Sequence, residues 1–159
     1  MIRVRDPAEL ERWVEKAEQM AQVGRAWLFS RHRTNPDALA EALPGFVPGA
    51  LRRALAPSAG LAVRFLARKY DVPEDAARAV DETLRPILEE IRAAIADRPY
   101  LLGTFSFADI AVAATLQAVR PWSGASLGPA SREAWTNEAI ARAFEDVLTW
   151  RDGIYAKHR

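Results

Sequence analysis

Hydrophobic residues recur at helical spacing along almost the whole of this chain. Leu10, Trp13 and Val14, Ala17, Met20 and Ala21, Gly24, and Trp27 and Leu28 stand three or four apart. That spacing puts them on one stripe of a helix about five turns long, while Glu11, Glu15, Glu18 and Gln19 face elsewhere. Asp6-Pro7-Ala8-Glu9 opens the helix, with Asp6 as cap, Pro7 in the first turn and Glu9 closing a capping box. Arg31-His32-Arg33 suits its C-terminal end, where positive charge meets the negative end of the helix dipole, and Asn35-Pro36 stops it.

Residues 36–43 predict a short helix, and Pro44-Gly45 and Pro48-Gly49 punctuate a loop. Residues 50–56 and 58–70 read as two helical pieces broken at Pro57. The second would bury Leu61, Phe65 and Leu66 and show Arg64, Arg68 and Lys69 to water. Asp71-Val72-Pro73 ends it and starts a long helix over 73–96. Its stripe runs Ala76 and Ala77, Val80, Leu84, Ile87 and Leu88, Ile91, Ile95. Pro86 inside this stripe removes one backbone bond and predicts a kink. Residues 123–129 form a loop rich in Gly and Ser, and 131–134 a short helical turn. Asn137 caps a last helix that carries Ile140, Ala143 and Phe144, Val147 and Leu148, Arg151, and Ile154 and Tyr155 on one face. No strand pattern, repeat or low-complexity run is visible.

The stretch 101–121 organises the rest. Between positions 106 and 119 Asp109 is the one charge, and only Thr115 and Gln117 interrupt an apolar or small-residue run. A helix apolar all round is buried all round, and about fourteen residues are too few to span a bilayer. The segment therefore reads as the central helix of a bundle, stopped near Pro121. Ser106 and Asp109 have the spacing of a capping box, and Phe105 and Ile110 flank it as a hydrophobic staple. Gly103 allows the turn before it. The run Leu101-Leu102-Gly103-Thr104-Phe105-Ser106-Phe107-Ala108-Asp109-Ile110 resembles the folding signature of the C-terminal domain of glutathione transferases. Helix order and lengths carry the resemblance more weakly over most of the chain.

The totals fit one domain over 1–159. Half of the residues are hydrophobic and 27% are charged, an ordinary globular mix. Ala, Arg, Leu and Glu dominate, which favours helices. The expected fold is all-α. There is no Cys, hence no disulfide, thiolate nucleophile or Cys metal site. His32 and His158 both stand beside basic residues at helix ends and read as helix-end cations. They do not supply the three or four ligands that a zinc site needs. No glycine-rich phosphate loop exists; Gly45, Gly49, Gly103, Gly124 and Gly128 are turn glycines. Glu89-Glu90 and Glu145-Asp146 sit on charged helix faces and read as solvated surface. Net charge is +1, with residues 1–70 holding 12 Lys and Arg against 7 Asp and Glu, and 71–159 holding 10 against 14. That imbalance is too mild for nucleic acid. No signal peptide or long apolar run is present, so the expected location is cytoplasmic, with neither nucleic acid nor a membrane as partner.

In glutathione transferases the glutathione site and the activating Tyr, Ser or Cys belong mainly to a thioredoxin-like half. This chain begins about where the family's inter-domain linker ends. The resemblance therefore implies no catalytic residue and no cofactor in this chain, with glutathione as co-substrate only when a thioredoxin-like half is supplied. It also implies that the first long helix forms the wall of an apolar electrophile pocket, through Trp13, Met20, Trp27 and Arg31; for the three apolar residues, ordinary core packing is the competing reading. Ser106 and Asp109 are structural. Three functions compete: the helical half of a glutathione transferase, a free-standing interaction or assembly module, and a carrier of apolar ligands. Met1 and the opening cap favour a self-contained unit, though an engineered start would look the same. The Trp13, Met20 and Trp27 stripe, bared where the other half would sit, predicts a homodimer or a thioredoxin-like partner.

Overall fold

The computed structural model describes residues 6–43, 46–69 and 75–158, and within them every side chain but those of Arg33, Ala50, Arg53, Ala56, Ala59, Ala62, Val63, Leu66 and Ala67. The Pro44-Gly45 turn, the 71–73 break and the burial of Leu66 lie outside the described residues. The fold is all-α, and no strand occurs among the described residues.

Helix α1 spans Pro7–Arg33. The Asp6 carboxylate accepts from the Ala8 and Glu9 N–H groups at 3.0 and 3.2 Å, while the Glu9 side chain faces Arg12 at 3.8 Å rather than turning back to the cap. Helix α2, Pro36–Glu41, is capped by Asn35, whose side chain accepts from the Ala38 N–H. Helix α3, Gly49–Lys69, runs unbroken through Pro57. The expected break is absent because Pro57 lies on the exposed side, where water can take the place of the missing backbone bond. Leu61 and Phe65, expected inside, point to solvent. The inner side of α3 lies nearer Gly60, where an added Cβ would come 3.6 Å from Leu39 of α2.

The next helical stretch changes pitch where Pro86 requires it. Helix α4, Ala76–Ala79, passes through a π turn at Val80–Leu84 into α5, Arg85–Ile95. The Arg85 N–H bonds back to the Val80 carbonyl, so the helix widens just before the proline. Helix α6, Phe107–Thr115, continues as a 3₁₀ turn at Leu116–Ala118. Helix α7 is Pro129–Trp135. The expected single last helix is two: α8, Glu138–Ala143, and α9, Glu145–His158. Phe144 leaves helical geometry at the joint (φ −126°, ψ 35°) and turns its ring into the core.

The core forms where α1 crosses α6 and the π turn, closed by α5, α8 and α9. Trp13, Met20, Leu88, Ile91, Leu101, Val112, Leu116, Ile140, Phe144 and Leu148 fill it. Polar groups tie the ends. Arg151, almost wholly buried, donates to the Leu116 carbonyl at 3.2 Å, to the Arg120 carbonyl and to Asp152 at 2.8 Å, so it satisfies carbonyls at the end of the central helix. Glu41 accepts from the Ala130 and Ser131 N–H groups at 3.1 and 2.7 Å and docks α2 on the start of α7.

His32 departs from expectation. It is buried, and its Nδ1 lies 3.1 Å from the Leu28 carbonyl. Burial lowers its pKa, against smaller raising effects of the Leu28 carbonyl and Glu41, so it is a neutral core imidazole rather than a helix-end cation. His158 stacks on Phe105 at 3.7 Å, and its Nε2 lies 3.0 Å from the Tyr100 hydroxyl.

Candidate functional site

The central helix starts on a polar lock. Asp109 has no exposed surface; its carboxylate accepts from the Ser106 N–H at 2.8 Å, the Ser106 hydroxyl at 3.0 Å and the Leu101 N–H at 2.8 Å. The Ser106 side chain also faces the Asp109 backbone across the first turn. Gly103 makes the preceding turn at φ +77°, a conformation that favours glycine, and its N–H bonds to the Tyr100 carbonyl at 2.9 Å. Phe105 lies on His158 while Ile110 points outward, so the ring's partner is α9 rather than the first turn of α6.

Only one side of α6 is covered. Ala108, Asp109, Val112, Ala113 and Leu116 are buried, but Phe107 is 56% and Ile110 47% exposed, and Ala114 is exposed too. The expectation of burial all round is corrected here. The residues on that side are apolar, yet no described element packs over them.

The uncovered side leads into a cavity of about 250 Å³, partly open to solvent, between α1 and the end of α6. Ala21, Gly24, Arg25 and Leu28 form one wall, Ala114, Thr115, Gln117 and Ala118 the other, and Trp135 an edge. Small residues set its geometry. A Cβ on Gly24 would overlap that of Ala118, so the two backbones approach as closely there as they can. The polar groups in the wall are already oriented. The Thr115 hydroxyl donates to the Val112 carbonyl at 2.9 Å. The Gln117 amide is held at both ends, its oxygen by the Trp122 N–H at 2.7 Å and its nitrogen by the Tyr155 hydroxyl at 3.2 Å. Arg25 is exposed and has no hydrogen-bond or ion-pair partner among the described residues.

The four residues expected in the wall lie elsewhere. Trp13 and Met20 are core, without surface to offer a ligand or a docking partner. Trp27 is partly buried, with the guanidinium of exposed Arg31 5.9 Å over its ring. None of the four lines the cavity, which opens about 100° further round α1 from Met20, at Ala21. The expected self-docking stripe on α1 is thus largely interior. The signal that sequence reading missed is the facing of small residues, Ala21 and Gly24 against Ala114 and Ala118.

The carboxylate pairs do structural work at the surface. Glu90 meets Lys16 at 2.7 Å, Arg92 bridges Glu89 and Asp146 at 3.2 and 2.7 Å, and Arg120 meets Glu145 at 2.8 Å. Among the described residues no group of three or more His, Asp or Glu side chains could hold a metal ion, and no helix is long and apolar enough to cross a membrane.

The family model for the glutathione S-transferase C-terminal domain matches residues 74–153, half of the chain. The chain belongs to that family. The matched segment runs from the approach to α4 into α9 and contains the Ser106–Asp109 lock and the α6 wall of the cavity. In this glutathione S-transferase C-terminal domain, α1 to α3 and their side of the cavity precede the match. No curated protein and no solved structure matches.

Proposed function

We propose that this domain is the helical half of a glutathione-transferase-like protein and that the α1–α6 cavity is one wall of its apolar electrophile pocket. The observation that carries the reading is the continuity of the uncovered face of α6, Phe107, Ile110 and Ala114, with the cavity floor at Thr115 and Ala118. An apolar face left bare beside a cavity is where a second domain would complete a binding site. At about 250 Å³ the cavity is somewhat smaller than the usual small-molecule site, as expected of a site built by two halves.

On this reading a thioredoxin-like half covers Phe107 and Ile110 and supplies both the glutathione site and the group that activates its sulfur. This half supplies shape and orientation. Ala21, Leu28, Ala114 and Trp135 contact the apolar body of the electrophile, and Arg25 at the rim meets an anionic or carbonyl end. Trp13, Met20 and Trp27 act from behind as packing, with Arg31 outside the site. Ser106 and Asp109 hold the central helix in place and take no part in chemistry.

Two measurements test this. Nuclear magnetic resonance titration with an apolar aromatic probe should move the signals of Ala21, Leu28, Ala114 and Ala118, and Gly24→Val should abolish the movement while leaving the helical circular dichroism in place. Glutathione conjugation to an aromatic electrophile should be absent from the chain alone and present when a thioredoxin-like half is joined to it. Turnover by the chain alone, or probe binding away from the cavity, would refute the reading.

A further inference from the structure

Helix α3 carries a feature that the pocket does not use. Leu51, Leu55, Leu61 and Phe65 are all exposed, Leu61 at 66% and Phe65 at 67%, and Phe46 just before the helix is 87% exposed. At 100° per residue the four helical positions fall within an arc of about 120°. Ala54 and Ser58, both exposed, fall in the same arc, so the stripe holds no charge for most of the helix length. The opposite side, nearer Gly60, faces α2. Helix α3 contains five basic residues and no acidic one, and no Asp or Glu occurs between Glu41 and Asp71. Arg64 and Arg68 are exposed along the flank of the stripe.

We infer that α3 is an interfacial helix by which the domain lies on an anionic lipid surface. A helix of 21 residues is about 30 Å long. It offers Leu and Phe side chains to the acyl boundary and arginines to the headgroups, the arrangement of a helix that lies in the interface without crossing it. Charge decides between occupants. A second copy docked on the same face about a two-fold axis would set one all-basic helix against another. A convex stripe with arginines at its margin, and no hydrogen-bonding side chain but Ser58 before Lys69 at its C-terminal end, fits a fluid apolar layer under negative headgroups. The expectation that no membrane partner exists rested on the absence of a spanning segment, which surface attachment does not require. The inference is independent of the cavity.

Vesicle co-sedimentation of the whole chain tests it, with phosphatidylglycerol-rich and pure phosphatidylcholine vesicles at low and high salt. The chain should sediment with the anionic vesicles at low salt, and much less at high salt or without phosphatidylglycerol. Arg64→Glu/Arg68→Glu should weaken that binding tenfold or more, given that each basic residue near such a surface adds substantially to attraction. Leu61→Ser/Phe65→Ser should abolish it, and because these side chains are exposed, circular dichroism and melting should stay close to those of the parent. Failure to sediment with anionic vesicles, equal binding to neutral ones, or insensitivity to the Arg64/Arg68 reversal would overturn the inference. So would a soluble dimer or an acidic protein complex that protects Phe65 while vesicles do not bind.

Discussion

Replacing Asp109 probes the start of the central helix most directly. Its carboxylate is fully buried and accepts from two backbone N–H groups, Leu101 and Ser106, and from the Ser106 hydroxyl. In Asp109→Ala both N–H groups lose that partner, and each buried donor left unpaired costs about 1–3 kcal/mol. The hydroxyl can rotate toward another acceptor, and the variant no longer buries a charge, which offsets part of the loss. The expected net loss is about 2–4 kcal/mol, a substantial share of the roughly 5–15 kcal/mol that holds a domain of this size together. Asp109→Asn keeps the shape and one acceptor but turns an NH₂ toward a donor, so it should fall between Ala and the parent. Ser106→Ala removes only the hydroxyl and should cost about 0.5–2 kcal/mol. Urea unfolding followed by circular dichroism measures all three, provided that the slope m stays constant. If Asp109→Ala lies within about 1 kcal/mol of the parent, or Ser106→Ala costs as much as Asp109→Ala, the three-bond account of this carboxylate is wrong.

Further outcomes follow from other close contacts. Gly24→Ala should destabilise by about 1–2 kcal/mol, since overlap with Ala118 outweighs the better helix propensity of Ala; Gly24→Ala/Ala118→Gly should recover most of the loss, and no recovery would show that the two residues do not meet. Arg151→Met leaves the Leu116 and Arg120 carbonyls without this donor and should cost about 2–4 kcal/mol in thermal or urea unfolding; a neutral result would remove Arg151 as the cap of the central helix. Burial lowers the His32 pKa from its ordinary 6.5, so the unfolded chain binds that proton first and stability should fall as pH drops through about 6.5; in His32→Gln the stability profile from about pH 7 to about pH 5 should flatten. Burial raises the Glu41 pKa, but hydrogen bonds from Ser131 and Ala130 and the neighbouring His32 lower it further, leaving it below its ordinary 4.5. Its contribution is therefore present above about that pH and lost below it, and Glu41→Gln should remove this acid limb.

The parts of the fold that were legible are those in which one local signal and one periodicity agree. Asp6 and Asn137 were readable because a capping side chain bonds within its own first turn, whereas Asn35, read only as the stop of α1, also caps α2. The stripe of α1 was readable because its large apolar residues Trp13 and Met20 both enter one core, whichever element covers them. Bonds that depend on chain return were not. The Leu101 N–H reaches Asp109 only because Gly103 reverses the chain between them, and spacing alone shows just the Ser106 partner. Pro57 and Pro86 look alike in sequence, yet the structure resolves them differently: Pro57 sits at the water side of an unbroken helix, while Pro86 follows a π turn that rearranges the bonds ahead of it. His32 was misread because its basic neighbours suggested solvent, whereas its own ring turns inward beside Leu28. Phe144 was misread because an apolar residue in phase with a stripe gives no warning that the backbone will break there.

The candidate site was hidden for a related reason. The resemblance pointed to the first long helix, and hydrophobic pattern along that helix reports only where bulk is placed, at Trp13, Met20 and Trp27. Bulk on a core stripe fills space, and a cavity arises where side chains are too small to fill it. Ala21 and Gly24 on one helix and Ala114 and Ala118 on the other satisfy helical spacing without closing the gap beside their contact. Around that gap the wall is fixed by bonds that lie outside it. Asp109 holds the start of α6, Arg151 its end, and Gln117 is clamped between Trp122 and Tyr155. The covered side of the central helix is thus bonded into place, which keeps Phe107, Ile110 and Ala114 on the bare side in a fixed array. A preformed face of this kind loses little conformational entropy when another surface settles on it, which is what the proposed two-part pocket requires of this domain.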